Sequence, residues 1–129
     1  MKQEGLKDLT ASDVASKGVV TVQSSESVLR ASEILRSTGY SQLPVMDGEV
    51  PVGSISERDL FDMLRQGFTM GQMRSTQVSK VMKESFPIVS DSTPMALVTL
   101  LMSDSNAVLV AQKGKVTGLI TNADMLKLI

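Results

Sequence analysis

Two stretches hold the residues of this chain that could do chemistry: Gly53-Ser54-Ile55-Ser56-Glu57-Arg58-Asp59 and Gly118-Leu119-Ile120-Thr121-Asn122-Ala123-Asp124. Each reads as the end of a strand, a hydroxyl that opens a helix, and an acid three positions later. A helix beginning at Ser56 or Thr121 leaves backbone N–H groups unpaired, and with the helix dipole these form a seat for a phosphate. Asp59 or Asp124 returns to the same helix mouth, where a carboxylate can accept two hydrogen bonds from a ribose diol, as acidic residues do in dinucleotide-binding folds. The preceding glycine would let a ligand approach the backbone closely. Ser-x-x-Asp and Thr-x-x-Asp are also capping boxes, which serve helix starts with no ligand present.

The two stretches sit at matching places in a chain that is written twice. A shift of 67 positions carries Ser12 to Ser79, Val14 to Val81, Val22 to Val89 and Ser25 to Ser92. Beyond the first long helix the shift is 65, taking Val45 to Val110, Gly53 to Gly118, Ser56 to Thr121 and Asp59 to Asp124. One register that changes at a polar loop and then holds is the signature of an internal duplication.

The elements that must position these residues follow in the same order in each copy. Thr10-Ala11-Ser12-Asp13 predicts a helix start and Gly18 its stop, followed by a short β-branched strand, Val19-Val20-Thr21-Val22. Ser24-Ser25-Glu26 predicts the cap of a second helix ending near Gly39, with Val28, Ala31, Ile34 and Leu35 on one buried face. Strands at Leu43-Pro44-Val45 and Val52-Gly53-Ser54-Ile55 flank a turn at Asp47-Gly48, and Pro51 is expected to hold that edge out of ladder pairing. A helix from Ser56 toward Leu64 closes the copy, and Gln66 to Gln77 reads as a connector. The second copy repeats the outline with strands at Pro87-Ile88-Val89, Ala107 to Val110 and Val116 to Ile120. Its helices run near Pro94 to Met102 and onward to Ile129. The helix Met95-Ala96-Leu97-Val98-Thr99-Leu100-Leu101-Met102 is apolar nearly all round, so a second buried contact is expected, either with the other copy or across a homodimer, of which the dimer is favoured.

Composition bounds the chemistry. The 129 residues, 42% apolar and 21% charged, suit one compact globular module. With no Cys and no His, disulfides, thiolate nucleophiles, the usual general base and the common zinc ligands are absent. No metal site is expected, and Ser56 or Thr121 has no visible base to make it a nucleophile, so no catalysis is expected. A net charge of −1 gives no general pull toward nucleic acid or anionic membrane, and Lys80 and Lys83 read as solvent-facing. Nine methionines read as core and interface filler. Neither the start, Met1-Lys2-Gln3-Glu4-Gly5-Leu6, nor any later run has the apolar length of a signal peptide or a bilayer span, which reads as a cytoplasmic protein.

The order of elements and the paired Gly-h-h-Ser/Thr-x-x-Asp junctions, with Leu43-Pro44-Val45, resemble a tandem pair of cystathionine-beta-synthase (CBS) domains, or Bateman module. The resemblance implies an α/β fold of two β-α-β-β-α repeats in pseudo-twofold contact, at 11–66 and 78–129 with a connector at 67–77. It also implies dimerisation and adenine-nucleotide (AMP, ADP, ATP) or S-adenosylmethionine binding in two clefts, as regulatory ligand rather than obligatory cofactor. In one cleft Thr121 would meet phosphate and Asp124 ribose, with the base near Ala15, Val20, Tyr40 and Ser41. In the other Ser56, Arg58 and Asp59 would face Met82, Pro87, Ser105 and Asn106. Leu109 in place of Pro44, Ala123 in place of Arg58, and Glu57 beside phosphate imply unequal occupancy.

The resulting expectation is a regulatory adenosyl-ligand sensor that signals to a partner the sequence does not identify. The alternative is a homodimerisation or scaffolding module whose clefts no longer bind.

Overall fold

The computed structural model describes residues 8–129, so the sequence reading of the first residues as leader-free lies outside the described part. The chain divides into two compact units, one made of residues up to Val19 together with Phe86–Ile129, the other of Val20–Ser85. The division does not follow the duplication. Each copy hands its first segment to the other copy's body.

In the Val20–Ser85 unit, β2 (Val22–Gln23), β3 (Gln42–Asp47) and β4 (Val50–Ser56) form a three-stranded sheet in that order. β2 pairs parallel with β3, a pairing that needs a crossover, and α2 (Val28–Thr38) supplies it. Ser27 caps α2 by accepting from the Arg30 N–H at 3.0 Å. Gly39 ends it in the left-handed region, φ 76°, where a side chain would be strained, and its N–H donates to the Leu35 carbonyl. Val28, Ala31, Ile34 and Leu35 are buried as their spacing predicts, against Leu43, Val45, Ile55, Leu60 and Met63. α3 (Glu57–Arg65) follows β4 directly. The connector is not a bare loop: it folds as α4 (Met70–Ser75), capped by Thr69 and anchored by buried Met73.

The other unit carries a four-stranded sheet ordered β1 (Ser16–Lys17), β7 (Lys115–Thr121), β6 (Ala107–Gln112), β5 (Ile88–Ser90). α5 (Met95–Leu101) joins the parallel pair β5 and β6, and α6 (Asn122–Leu126) follows β7. The first helix, α1 (Ala11–Val14), is shorter than expected, because the chain turns extended at Ala15 to pair as β1 with β7. The strand expected at Val19 to Val22 is correspondingly displaced to Val22–Gln23.

The exchange is reciprocal. Ser16 pairs with Leu119, and at the duplicated positions Lys83 pairs with Ser54, whose N–H donates to the Lys83 carbonyl at 3.0 Å while the Lys83 N–H donates back at 2.8 Å. Ala11, Leu9, Val14 and Ala15 pack into the core of Met95, Val98, Val108, Val110 and Ile120, whereas Val78, Val81 and Met82 pack into the core of the Val20–Ser85 unit. Val78 is fully buried there, and burying a valine is worth about 1.5–3 kcal/mol, so the borrowed segment is part of the fold.

Pro51 does not keep out of the ladder. It sits opposite Met46 on the edge strand β4, beside a register shift that leaves Val52 without an opposite residue. The same shift recurs between Val110 and Ala111 opposite Val116 and Gly118, with no proline nearby, so the bulge belongs to the repeat and the proline merely tolerates it.

Candidate functional site

The two helix mouths differ in what surrounds the acid. At the first, Ser56 caps α3: its hydroxyl accepts from the Asp59 N–H at 3.2 Å, and its N–H donates to Asp59 Oδ2 at 2.9 Å. The Glu57 N–H is taken by the Ser41 carbonyl at 2.9 Å, so part of the helix mouth is already satisfied by the chain. Asp59 is half-buried and lines a cavity of about 390 Å³. Asp62 and Met63 of α3, with Gln66 and Phe68 just beyond its end, form the rest of that side, and Lys80, Val81, Met82 and Lys83 of the borrowed segment face them. Asp62 turns to its own helix neighbour, pairing with Arg65. Among the described residues, Lys80 and Lys83 have no acidic partner. Arg58 is exposed at the start of α3.

At the second mouth Asp124 is only 3% exposed, and both its oxygens are engaged. Oδ2 accepts from the Thr121 N–H at 2.9 Å and the Thr121 hydroxyl at 3.3 Å; Oδ1 accepts from the Ser16 hydroxyl at 3.0 Å and the Lys127 ammonium at 3.0 Å. Burial pushes this carboxyl up, but the Thr121 N–H, the Lys127 ammonium and the Ser16 hydroxyl outweigh it, and the net direction is below the ordinary carboxylate value. A buried carboxylate needs such company. α6, which would seat a phosphate here, is five residues long.

The glycines preceding the two mouths are crossed closely by protein. A Cβ on Gly53 would lie 2.6 Å from Met82 Sδ and 2.8 Å from the Lys83 carbonyl oxygen; on Gly118 it would lie 3.0 Å from Ala15 Cβ and 3.2 Å from the Ser16 carbonyl oxygen. What crosses each glycine closely is the chain's own borrowed segment.

The residues expected at the first cleft are distributed as follows. Ser56, Arg58, Asp59 and Met82 belong to the Val20–Ser85 unit, and Asp59 and Met82 line one cavity. Pro87, Ser105 and Asn106 belong to the other unit, where the Pro87 carbonyl accepts from the Leu109 N–H and the last two lead into β6. Of the second cleft, Thr121 and Asp124 share one unit with Ala15, which lies against Gly118, while Val20, Tyr40 and Ser41 belong to the first. Sequence reasoning passed over Ser16, Lys127 and Phe68; it read Lys80 and Lys83 as solvent-facing, and both are exposed while lining the cavity. Lys127 stands three residues after Asp124, at the end of α6, and was the easiest to find; Lys83 and Ser16 become visible once the borrowed segment is known to cross the glycine. No group of acids suited to a metal ion occurs among the described residues, and no helix among them is long and apolar enough to cross a membrane.

Comparison with known proteins agrees with the duplication. The family described as CBS domain matches twice, at 11–66 and 78–129. A CBS domain-containing protein of unknown function from Bacillus anthracis superposes with a TM-score of 0.81 at 22% identity, covering 95% of this chain and 94% of that one. The CBS-pair protein CBSX2 of Arabidopsis thaliana does so with a TM-score of 0.78 at 25% identity, covering 92% of each. In sequence, the chain is 25% identical to the uncharacterized protein MJ1404 of Methanocaldococcus jannaschii and 28% identical to the A-adding tRNA nucleotidyltransferase of Geobacter sulfurreducens. Those alignments take in 99% and 92% of this chain, which spans 34% and 13% of the length of these curated relatives. Proteins built as CBS pairs generally bind adenosyl ligands in regulatory rather than catalytic roles. The chain belongs to the CBS-domain family and carries two tandem CBS repeats, the arrangement of a Bateman module.

Proposed function

We propose that this chain is a non-catalytic adenosyl-ligand sensor that binds its ligand at the Ser56–Asp59 mouth and signals to a partner protein. The observation that carries the reading is the cavity bounded by Asp59, open to a small molecule where Asp124 is not. Asp59 spends one oxygen on the Ser56 N–H, leaving Oδ1 for a ribose hydroxyl, while Met63, Phe68, Val81 and Met82 offer an apolar wall to a purine. A ligand there presses on residues 80–83, just before the chain passes at Phe86 into the other unit. Tightening that segment gives binding a route to the rest of the molecule, provided the ligand prefers one of two states. The protein acts in the cytoplasm on this reading, without metal or obligatory cofactor.

Calorimetric titration with AMP, ADP, ATP and S-adenosylmethionine tests it. One ligand per chain is expected, strongly weakened in Asp59→Ala and kept in Asp124→Ala, with saturation at a hundred times the Kd stabilising the fold by about 2.7 kcal/mol. Silence toward all four ligands would sink the sensor.

A second reading, a homodimerising scaffold, is favoured by α5. Leu97 and Leu100 are 54% and 69% exposed and Leu101 is exposed beside them, so the second apolar face is left uncovered among the described residues. Sedimentation would show a dimer that Leu100→Lys dissociates; a monomer at all concentrations removes this reading.

A further inference from the structure

The cavity at Asp59 also carries a charge pattern that selects among adenosyl ligands. Of its two acids, Asp59 is bonded to the Ser56 N–H and Asp62 to Arg65, whereas Lys80 and Lys83 bring positive charges that no carboxylate among the described residues pairs. Both lysines lie on the borrowed segment, and both line the cavity opposite the α3 residues. Their backbone is fixed: Lys83 is hydrogen-bonded to Ser54 in both directions, Ser54 Oγ donates to the Glu84 carbonyl at 2.7 Å, and the Lys80 N–H donates to the Gln77 carbonyl. Both lysines are exposed and line the cavity, so their side chains can swing to a ligand there.

We infer that the ligand of this cavity is a nucleoside di- or triphosphate, its second and third phosphates neutralised by Lys80 and Lys83, in preference to AMP and to the cationic S-adenosylmethionine. The inference rests on the reading of Asp59 as the ribose acceptor. S-adenosylmethionine brings one carboxylate but also a sulfonium and an ammonium that the two lysines repel, whereas a polyphosphate chain gains two charge-assisted contacts that a single phosphate cannot fill together.

The test is a titration of the whole chain with ADP, ATP, AMP and S-adenosylmethionine at low salt without divalent cations. It is repeated on the Lys80→Gln, Lys83→Gln double variant, with unchanged thermal melting as the check on folding. The expected result is ADP or ATP bound at least about tenfold more tightly than AMP or S-adenosylmethionine, with that preference lost in the double variant. Raising the salt concentration should weaken ATP more than AMP. Equal or tighter binding of AMP or S-adenosylmethionine, or a polyphosphate preference that survives the double variant, would overturn the charge argument while leaving the sensor standing. Asp59→Ala separates the two claims, because it should weaken all bound nucleotides alike; indifference of every ligand to that change would instead remove the site.

Discussion

Ser56–Asp59 and Thr121–Asp124 descend from one segment, share a capping box and have opposite surroundings. At the position three beyond the acid, the first copy has Asp62 and the second Lys127; on the borrowed segment, the first mouth faces Lys83 and the second Ser16. In the second copy a lysine and a serine close on Asp124 and the site is finished within the chain. In the first copy the corresponding acid turns away to Arg65, the lysine comes from the other side, and Asp59 keeps an open cavity in front of it. A duplicated motif therefore shows where a site can be built. Its neighbours at helix spacing and across the borrowed segment decide whether the protein's own side chains fill it or leave it open.

The largest effect that would sharpen this contrast is on binding. Asp59→Ala should weaken an adenosyl ligand about a hundredfold, roughly 3 kcal/mol for the loss of charged hydrogen bonds, while Asp124→Ala should change affinity less than about twofold. Equal losses in calorimetry would erase the distinction between the mouths. Next comes the fit of the borrowed segments. Gly53→Ala drives a methyl into Met82 and the Lys83 carbonyl and should cost about 2–3 kcal/mol in denaturant unfolding, whereas Gly118→Ala meets its neighbours a few tenths of an ångström farther off and should cost about 1 kcal/mol or less. The reverse order would mean that the second copy is the tighter of the two.

The smallest effect concerns acid. The carboxyl of Asp124 is held below its ordinary value in the folded chain, so its contribution is complete above the unfolded carboxylate pKa of about 4 and is lost as pH falls through the folded value. Thermal melts below pH 4 should therefore show a loss of stability that Asp124→Asn flattens. Lys127→Met, which removes a partner that is itself 68% exposed, should change stability by under about 1 kcal/mol near neutral pH. An acid limb unaltered by Asp124→Asn would place that sensitivity elsewhere.

Much of the architecture was legible because it is local. The apolar spacing of Val28, Ala31, Ile34 and Leu35, the stop at Gly39 and the two capping boxes each follow from residues within a turn or two of one another. What was not legible depends on partners distant in sequence. Ser16–Lys17 is a strand only because β7 lies beside it, and Pro51 enters a ladder only because the edge position asks for no N–H. The same limit governed the site. The hydroxyls and acids could be picked out, but the meaning of Gly53 and Gly118 depended on a segment 30 or 103 positions away, and the roles of Lys83 and Ser16 with it.

The swapped leading segments have a consequence for how such a chain can be divided. A gene cut within α4 would encode two pieces, each holding a strip that completes the other's sheet and each missing its own. Neither piece would be a finished body on its own, and mixed together they would be expected to reassemble. The module can be inherited, fused or lost as a pair, but half of it is not a smaller version of the whole.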